Sequence, residues 1–217
     1  GSWQFFPYQS PERENDNAFL GVIGDTKFSH DRGFYDTPFS VTIASETEDA
    51  TIKYTTDGTV PSETAGQTYT GAIPIETNTC LRAMAFKTGF KPTDVDTHTF
   101  IFVNNVIAHP KMSTDITQNP VWGPQMRDAL LEIPTISLVT PHVIPDEPIQ
   151  SPPEVPVSIE MIFPDGTEGF QANAGVERFG GQYTVWTKQA LRVSFKSIYG
   201  PSRLKFDLFS DTPYGGD

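Results

Sequence analysis

The stretch Thr51-Ile-Lys-Tyr-Thr-Thr-Asp-Gly-Thr-Val-Pro-Ser62 constrains the fold more than any other part of the chain. Ile52, Tyr54 and Thr56 share one face of an alternating segment, which then runs into Asp57-Gly58 and Pro61. Period-two alternation closed by Asp-Gly specifies a strand followed by a turn. A helix would need apolar residues three and four apart, and they are not placed that way here.

The same pattern recurs. Phe39-Ser-Val-Thr-Ile43, Cys80 to Phe86 and Val95 to Val103 alternate, with turn clusters at Glu46-Thr-Glu-Asp49, Ala65-Gly66, Thr77-Asn78 and Thr88-Gly89 between them. Short strands punctuated in this way predict an antiparallel β-sandwich over residues 20–108. Its expected core is Val41, Ile43, Ile52, Tyr54, Ile73, Ile75, Leu81, Ala83, Ala85, Val95 and Phe100. Residues 1–19 precede it as an extended segment whose polar part is too poor in apolar surface for regular structure. Its cluster Trp3-Gln-Phe-Phe-Pro-Tyr8 has two readings, a glycan platform and a plug docked on its own domain.

Residues 109–134 break the β pattern and read as a linker with a short helix. Met126, Leu130 and Ile133 fall at helical spacing, Pro124 suits a first turn and Pro134 stops the run. From 135 to 217 the β pattern returns, over Thr135 to Val139, Val155 to Phe163, Gly169 to Phe179, Ala190 to Phe195 and Leu204 to Phe209. Phe163-Pro-Asp-Gly-Thr167 is a hairpin turn, and the prolines at 145, 148, 152 and 153 mark a stiff surface loop. The class is therefore all-β: a fibronectin-like sandwich and a second β unit, joined by a short helix.

Composition narrows the function classes. The 217 residues carry a formal net charge of −12, which argues against nucleic acid, where Lys and Arg must release counterions, and against anionic membrane surfaces. No apolar run approaches ~18 residues, so no membrane-spanning helix is expected. Cys80 is the only cysteine. It cannot form an internal disulfide and reads as an inert thiol on a strand. Gly1-Ser2 reads as a cloning remnant, so any export signal is expected to lie outside this sequence.

Three chemistries have candidate residues. Sugar rings stack on exposed aromatics, for which Trp3, Tyr8, Phe34, Tyr35, Trp122 and Trp186 are the candidates. Calcium takes six to eight oxygens from loops. Asp25, Asp31 and Asp36 form one candidate set, and Glu46, Glu48 and Asp49 another, for a structural Ca²⁺; no other cofactor is expected. Asp57 is expected to accept hydrogen bonds from its own turn. Catalysis has no such constellation: the four histidines lack zinc spacing, and neither a nucleophile elbow nor a phosphate-cradling loop occurs.

Two segments resemble known families. Ile52-Lys-Tyr-Thr-Thr-Asp-Gly58 with Pro61, Tyr69-Thr-Gly-Ala-Ile73, Thr79 to Phe90 and Val95-Asp-Thr-His-Thr-Phe100 resemble the fibronectin type III-associated domain, also described as the chitobiase/β-hexosaminidase C-terminal type. Ile133 to Val139, Val155 to Glu160, Pro164-Asp-Gly166, Asn173-Ala-Gly-Val176, Gly180-Gly181, Leu191 to Lys196 and Leu204-Lys-Phe206 resemble the N-terminal β portion of secreted CotH kinase-like proteins. The combination is similar to large exported bacterial proteins, which implies a secreted or cell-surface location and flanking domains of a larger chain.

That kinase-like family carries a Ser-containing element where this chain has Gln182-Tyr-Thr-Val-Trp186, and its acidic catalytic lobe has no counterpart here. Lys188 and Arg192 are the cations placed to meet phosphate, although alternating basic residues on a strand ordinarily form its solvated face. The expected function is a non-catalytic extracellular module that binds polysaccharide or positions a neighbouring domain on it. The alternatives are a fragment of a CotH-like kinase and a structural spacer.

Overall fold

Alternation becomes strand nearly everywhere the sequence shows it. The computed structural model describes residues 19–144, 153–179 and 190–208, and the chain divides into two units, Gly1–Ile133 and Pro134–Asp217.

The first unit holds β1 (Gly21–Val22), β2 (Thr26–Phe28), β3 (Gly33–Phe34), β4 (Phe39–Val41), β5 (Ile43–Ser45), β6 (Thr51–Thr55), β7 (Gln67–Thr68), β8 (Ile73–Ile75), β9 (Thr79–Phe86), β10 (Phe90–Lys91) and β11 (Asp96–Ile101). A five-stranded sheet runs in the order β3-β11-β9-β6-β7. It is antiparallel except for the β3–β11 pair. The pairs β2–β5 and β4–β8 supply the facing layer.

Ile52, Leu81, Ala83, Ala85 and Phe100 from the large sheet meet Val41, Ile43, Ile73 and Ile75 in one buried cluster, with Tyr54 packed at its edge. Val95 is half-buried and lies outside that cluster, because β11 starts one residue later. Phe39 to Ile43 is not one strand. β4 pairs with β8 and β5 with β2, and the change of partner falls at Thr42. There the Ser29 amide donates to the Thr42 carbonyl (2.9 Å) and the Thr42 amide to Ser29 Oγ (2.9 Å). Pro74 stands opposite Ser40 in the β4–β8 pair, exposed between inward-facing Ile73 and Ile75.

The helical segment also belongs to the first unit. Val103 does not extend β11 but opens α1 (Val103–Ile107), followed by α2 (Thr114–Thr117), a 3-10 turn (Gly123–Gln125) and α3 (Met126–Leu131). Met126 and Leu130 are half-buried, while Ile133 falls beyond the helix and is exposed.

The second unit is a meander of β12 (Thr135–Val139), β13 (Val155–Ile162), β14 (Phe170–Phe179) and β15 (Ala190–Ser194), each antiparallel to the next. Val157, Ile159, Ala172, Ala174 and Val176 bury one face. The strand expected over 204–209 is absent from its described part, 204–208. Leu204 and Phe206 are used for packing instead: Leu204 joins the apolar face and the Phe206 ring lies 5.0 Å from that of Phe170.

Candidate functional site

The candidate aromatics differ sharply in what they offer. Phe34 is half-buried on β3, in register with Ile101. The Tyr35 ring is stacked on Phe39 at 4.2 Å and meets Phe100 edge-on at 5.7 Å. Its hydroxyl donates to the Asp31 carbonyl at 2.7 Å. Burial, then the Asp31 charge, pushes this phenol above its ordinary range. The Tyr35 ring is committed to packing. Trp3, Tyr8 and Trp186 lie outside the described residues.

Trp122 is 57% exposed, beside Val121 at 61% and Ile116 at 40%. The backbone beneath it is tightly specified. Asn119 Oδ1 accepts from the amides of Val121 (2.9 Å) and Trp122 (3.1 Å), and the Gly123 amide donates to the Asn119 carbonyl (2.8 Å). Gln125 Nε2 donates to the Val121 carbonyl at 2.9 Å. A Cβ on Gly123 would sit 2.6 Å from the Thr117 carbonyl oxygen, so the close approach requires glycine. One turn later, Arg127 Nη2 pairs with Asp36 Oδ1 at 2.6 Å, and Nη1 donates to Asn104 Oδ1 at 3.4 Å. The result is an indole held out on a braced turn.

That ion pair bears on the calcium expectation. Asp25, Asp31 and Asp36 do not converge. Asp36 is held by Arg127, and all three side chains belong to exposed residues. In the second set, Lys27 binds Glu46 and holds its carboxyl below the usual range. No group of three or more His, Cys, Asp or Glu that could hold a metal occurs among the described residues. Carboxylates paired with cations leave fewer oxygens for a cation from solution.

A shallow groove of about 380 Å³ lies over the β6–β9 edge, lined by Asp49, Thr51, Lys53, Glu63, Phe86, Lys87 and Thr88. Lys53 Nζ donates to Thr68 Oγ1 (2.9 Å) and Lys87 Nζ to the Glu48 carbonyl (2.7 Å). Phe86 is only 8% exposed. The groove therefore offers charges of both signs and no free aromatic face.

Inside the sandwich, the Thr26 hydroxyl donates to the Asp96 carboxylate. Burial pushes Asp96 up to about 6, against that hydrogen bond. Burial, helped by Arg32, pushes His98 down to about 3; its ring stacks on Phe28 at 4.2 Å and its buried Nδ1 has no partner among the described residues. Sequence reasoning missed both residues, although the signal was present: Asp96 and His98 continue, at period two, the inward face of Phe100. Cys80 is half-buried, and Thr99 Oγ1 donates to its Sγ at 3.6 Å.

In the second unit Arg192 is engaged twice, with Glu177 Oε1 at 3.0 Å and over the Phe179 ring at 4.0 Å. This engagement matches the strand-face reading of Arg192, while Lys188 lies outside the described residues. A cluster not foreseen joins Lys196 Nζ to both oxygens of Glu154 (2.8 Å each). Lys196 first, then hydrogen bonds from Tyr199 and Ser194, hold the Glu154 carboxyl low. A Cβ on Gly175 would come within 2.5 Å of both Glu154 Cδ and Tyr199 Cε2, so any side chain here would displace those two side chains.

No curated protein and no solved structure matches the chain. A family model does match, that of the chitobiase/beta-hexosaminidase C-terminal domain, over residues 30–97. This stretch starts just before β3 and ends inside β11, so the part of the chain similar to that family is the sandwich from β3 to the start of β11, without β1 and β2.

Proposed function

We propose that this chain is a non-catalytic, carbohydrate-associated module of an extracellular protein, which binds polysaccharide and holds neighbouring domains of the same protein against it. The observation that carries this reading is the match of residues 30–97 to a domain named for chitobiase and β-hexosaminidase. The exposed Trp122 on its braced turn supports it, because a large apolar side chain left mostly in water on a specified backbone is available to a ligand. The formal charge of −12 disfavours the competing polyanionic partners, nucleic acid and anionic lipid. The extracellular placement and the flanking domains rest on the resemblance of residues 134–209 to secreted CotH-like proteins. Affinity electrophoresis against chitinous, plant and algal polysaccharides tests the reading. Retarded migration in at least one gel is expected, and unchanged migration in all of them rejects it.

A further inference from the structure

We infer that the sugar-contacting element is the Trp122 turn, outside the segment that carries the family match, and that its ligand is the apolar face of an uncharged pyranose. The inference rests on the carbohydrate reading above and assigns it a place and a ligand class.

Three observations lead there. The first is preorganisation. Asn119 fixes two successive amides, Gln125 fixes the Val121 carbonyl, and Gly123 leaves no room for another side chain against Thr117. A turn already in its bound shape avoids the ordering cost that otherwise weakens association. The second is surface chemistry. Trp122 presents a flat, amphipathic ring, Val121 and Ile116 are further exposed apolar residues of the same segment, and Asn119 and Gln125 are polar residues of the turn itself. A pyranose offers the matching pair, a face of C–H groups and a rim of hydroxyls.

The third is charge. In this segment the acidic residues Asp115, Asp128 and Glu132 outnumber the basic Lys111 and Arg127, and Arg127 is engaged with Asp36. Uronate or sulfated sugars would meet repulsion there, strengthened by the net charge of the chain. The groove beside β6 contrasts in surface chemistry and charge: its Phe86 is buried and its walls are charged.

Calorimetry on the full chain provides the test, with chitohexaose, cellohexaose and xylohexaose as neutral probes and oligogalacturonate and sulfated galactan oligomers as anionic ones. We expect binding to at least one neutral probe, weakened about tenfold or more by Trp122→Ala and less by Trp122→Phe. The double variant Lys53→Ala/Lys87→Ala should bind within about twofold of the parent. In the unaltered chain, the indole N–H resonance of Trp122 should move on titration, a readout that needs no variant to fold. Binding that survives Trp122→Ala within about twofold, or that favours the anionic probes, overturns the inference while leaving the module reading intact. Silence from every probe removes the module reading, and the role of Trp122 with it.

Discussion

The tripeptide Asp-Gly-Thr occurs once in each unit, and its two copies teach different lessons. Asp57-Gly58-Thr59 and Asp165-Gly166-Thr167 make the same local structure. The Thr amide donates to Asp Oδ1 at 3.0 Å in the first and 2.9 Å in the second, and the glycines take φ of 82° and 79°. Their surroundings diverge. Gly58 is buried, and its carbonyl accepts from Nη1 of Arg82 at 3.0 Å, a residue only 4% exposed. Gly166 is exposed, with nothing within 4 Å of where a Cβ would stand. Short-range chemistry sets the turn in both places. Only the first turn is bolted to a sheet.

The largest expected effect strikes that bolt. Arg82→Ala should destabilise the first unit by about 3 kcal/mol, because the buried Gly58 carbonyl loses its donor and the arginine stem leaves a void. Hydrogen exchange resolved by peptide should show faster exchange across β6, β9 and β11 and little change in β12 to β14. Equal acceleration in both units would erase the distinction between a bolted and a free turn.

Acid should separate the units next. Asp96 titrates near 6 in the fold and 3.8 unfolded, so its burial costs stability above pH 6, and the cost is relieved as pH falls toward 3.8. His98 works the other way. It titrates near 3 in the fold and 6.5 unfolded, so stability drains as pH falls below 6.5. The two oppose each other between about pH 6 and 4. Asp96→Asn should therefore stabilise the first unit by about 2 kcal/mol at pH 8 and hardly at all at pH 4. His98→Phe, which keeps the stack on Phe28, should shift acid unfolding of the first unit to lower pH. Urea titrations at both pH values check the pair, and a stabilisation by Asp96→Asn that grows toward pH 4 would reverse the sign.

Gly166→Ala should cost about 1 kcal/mol, the conformational penalty of positive φ alone. Gly58→Ala should cost more, since its methyl also has to be housed in a buried turn; matching midpoint shifts would deny the difference. The smallest effects belong to Asp57→Asn and Asp165→Asn. The Thr59 and Thr167 hydrogen bonds hold both carboxyls below 3.8, so their contribution is present at neutral pH and lost only as pH falls below that value. Each variant should slightly lower its own unit's stability at neutral pH, and the difference from the parent should vanish in the most acidic limb of the unfolding curve.

Much of this architecture was legible from alternation. Val41, Ile43, Ile52, Ile73, Ile75, Leu81, Ala83, Ala85 and Phe100 all lie in the first core, because period two places them on one side of a pleat whatever their partners. What alternation cannot supply is the ladder itself. Phe39 to Ile43 keeps its rhythm while changing partners, and Leu204 and Phe206 keep theirs without any ladder. The short helices α1 and α2 escaped notice because helices of this length depend on packing rather than propensity.

The site was legible only in part. An exposed Trp122 beside two prolines could be suspected, but the bracing by Asn119, Gln125 and Gly123 and the capture of Asp36 by Arg127 join residues up to 91 positions apart. The latter contact, invisible in sequence, is also what removes Asp36 from the calcium set.

Pro74 carries a consequence for the protein in crowded company. Among the described residues β8 has a partner on one side only, β4, so its free rim invites cross-β recruitment by a passing extended chain. A residue without an amide hydrogen interrupts the docking comb at its midpoint, and its ring occupies the space a newcomer would need. Pro74 thus makes the open side of β8 a poorer template for a further strand than an unbroken row of amides would be.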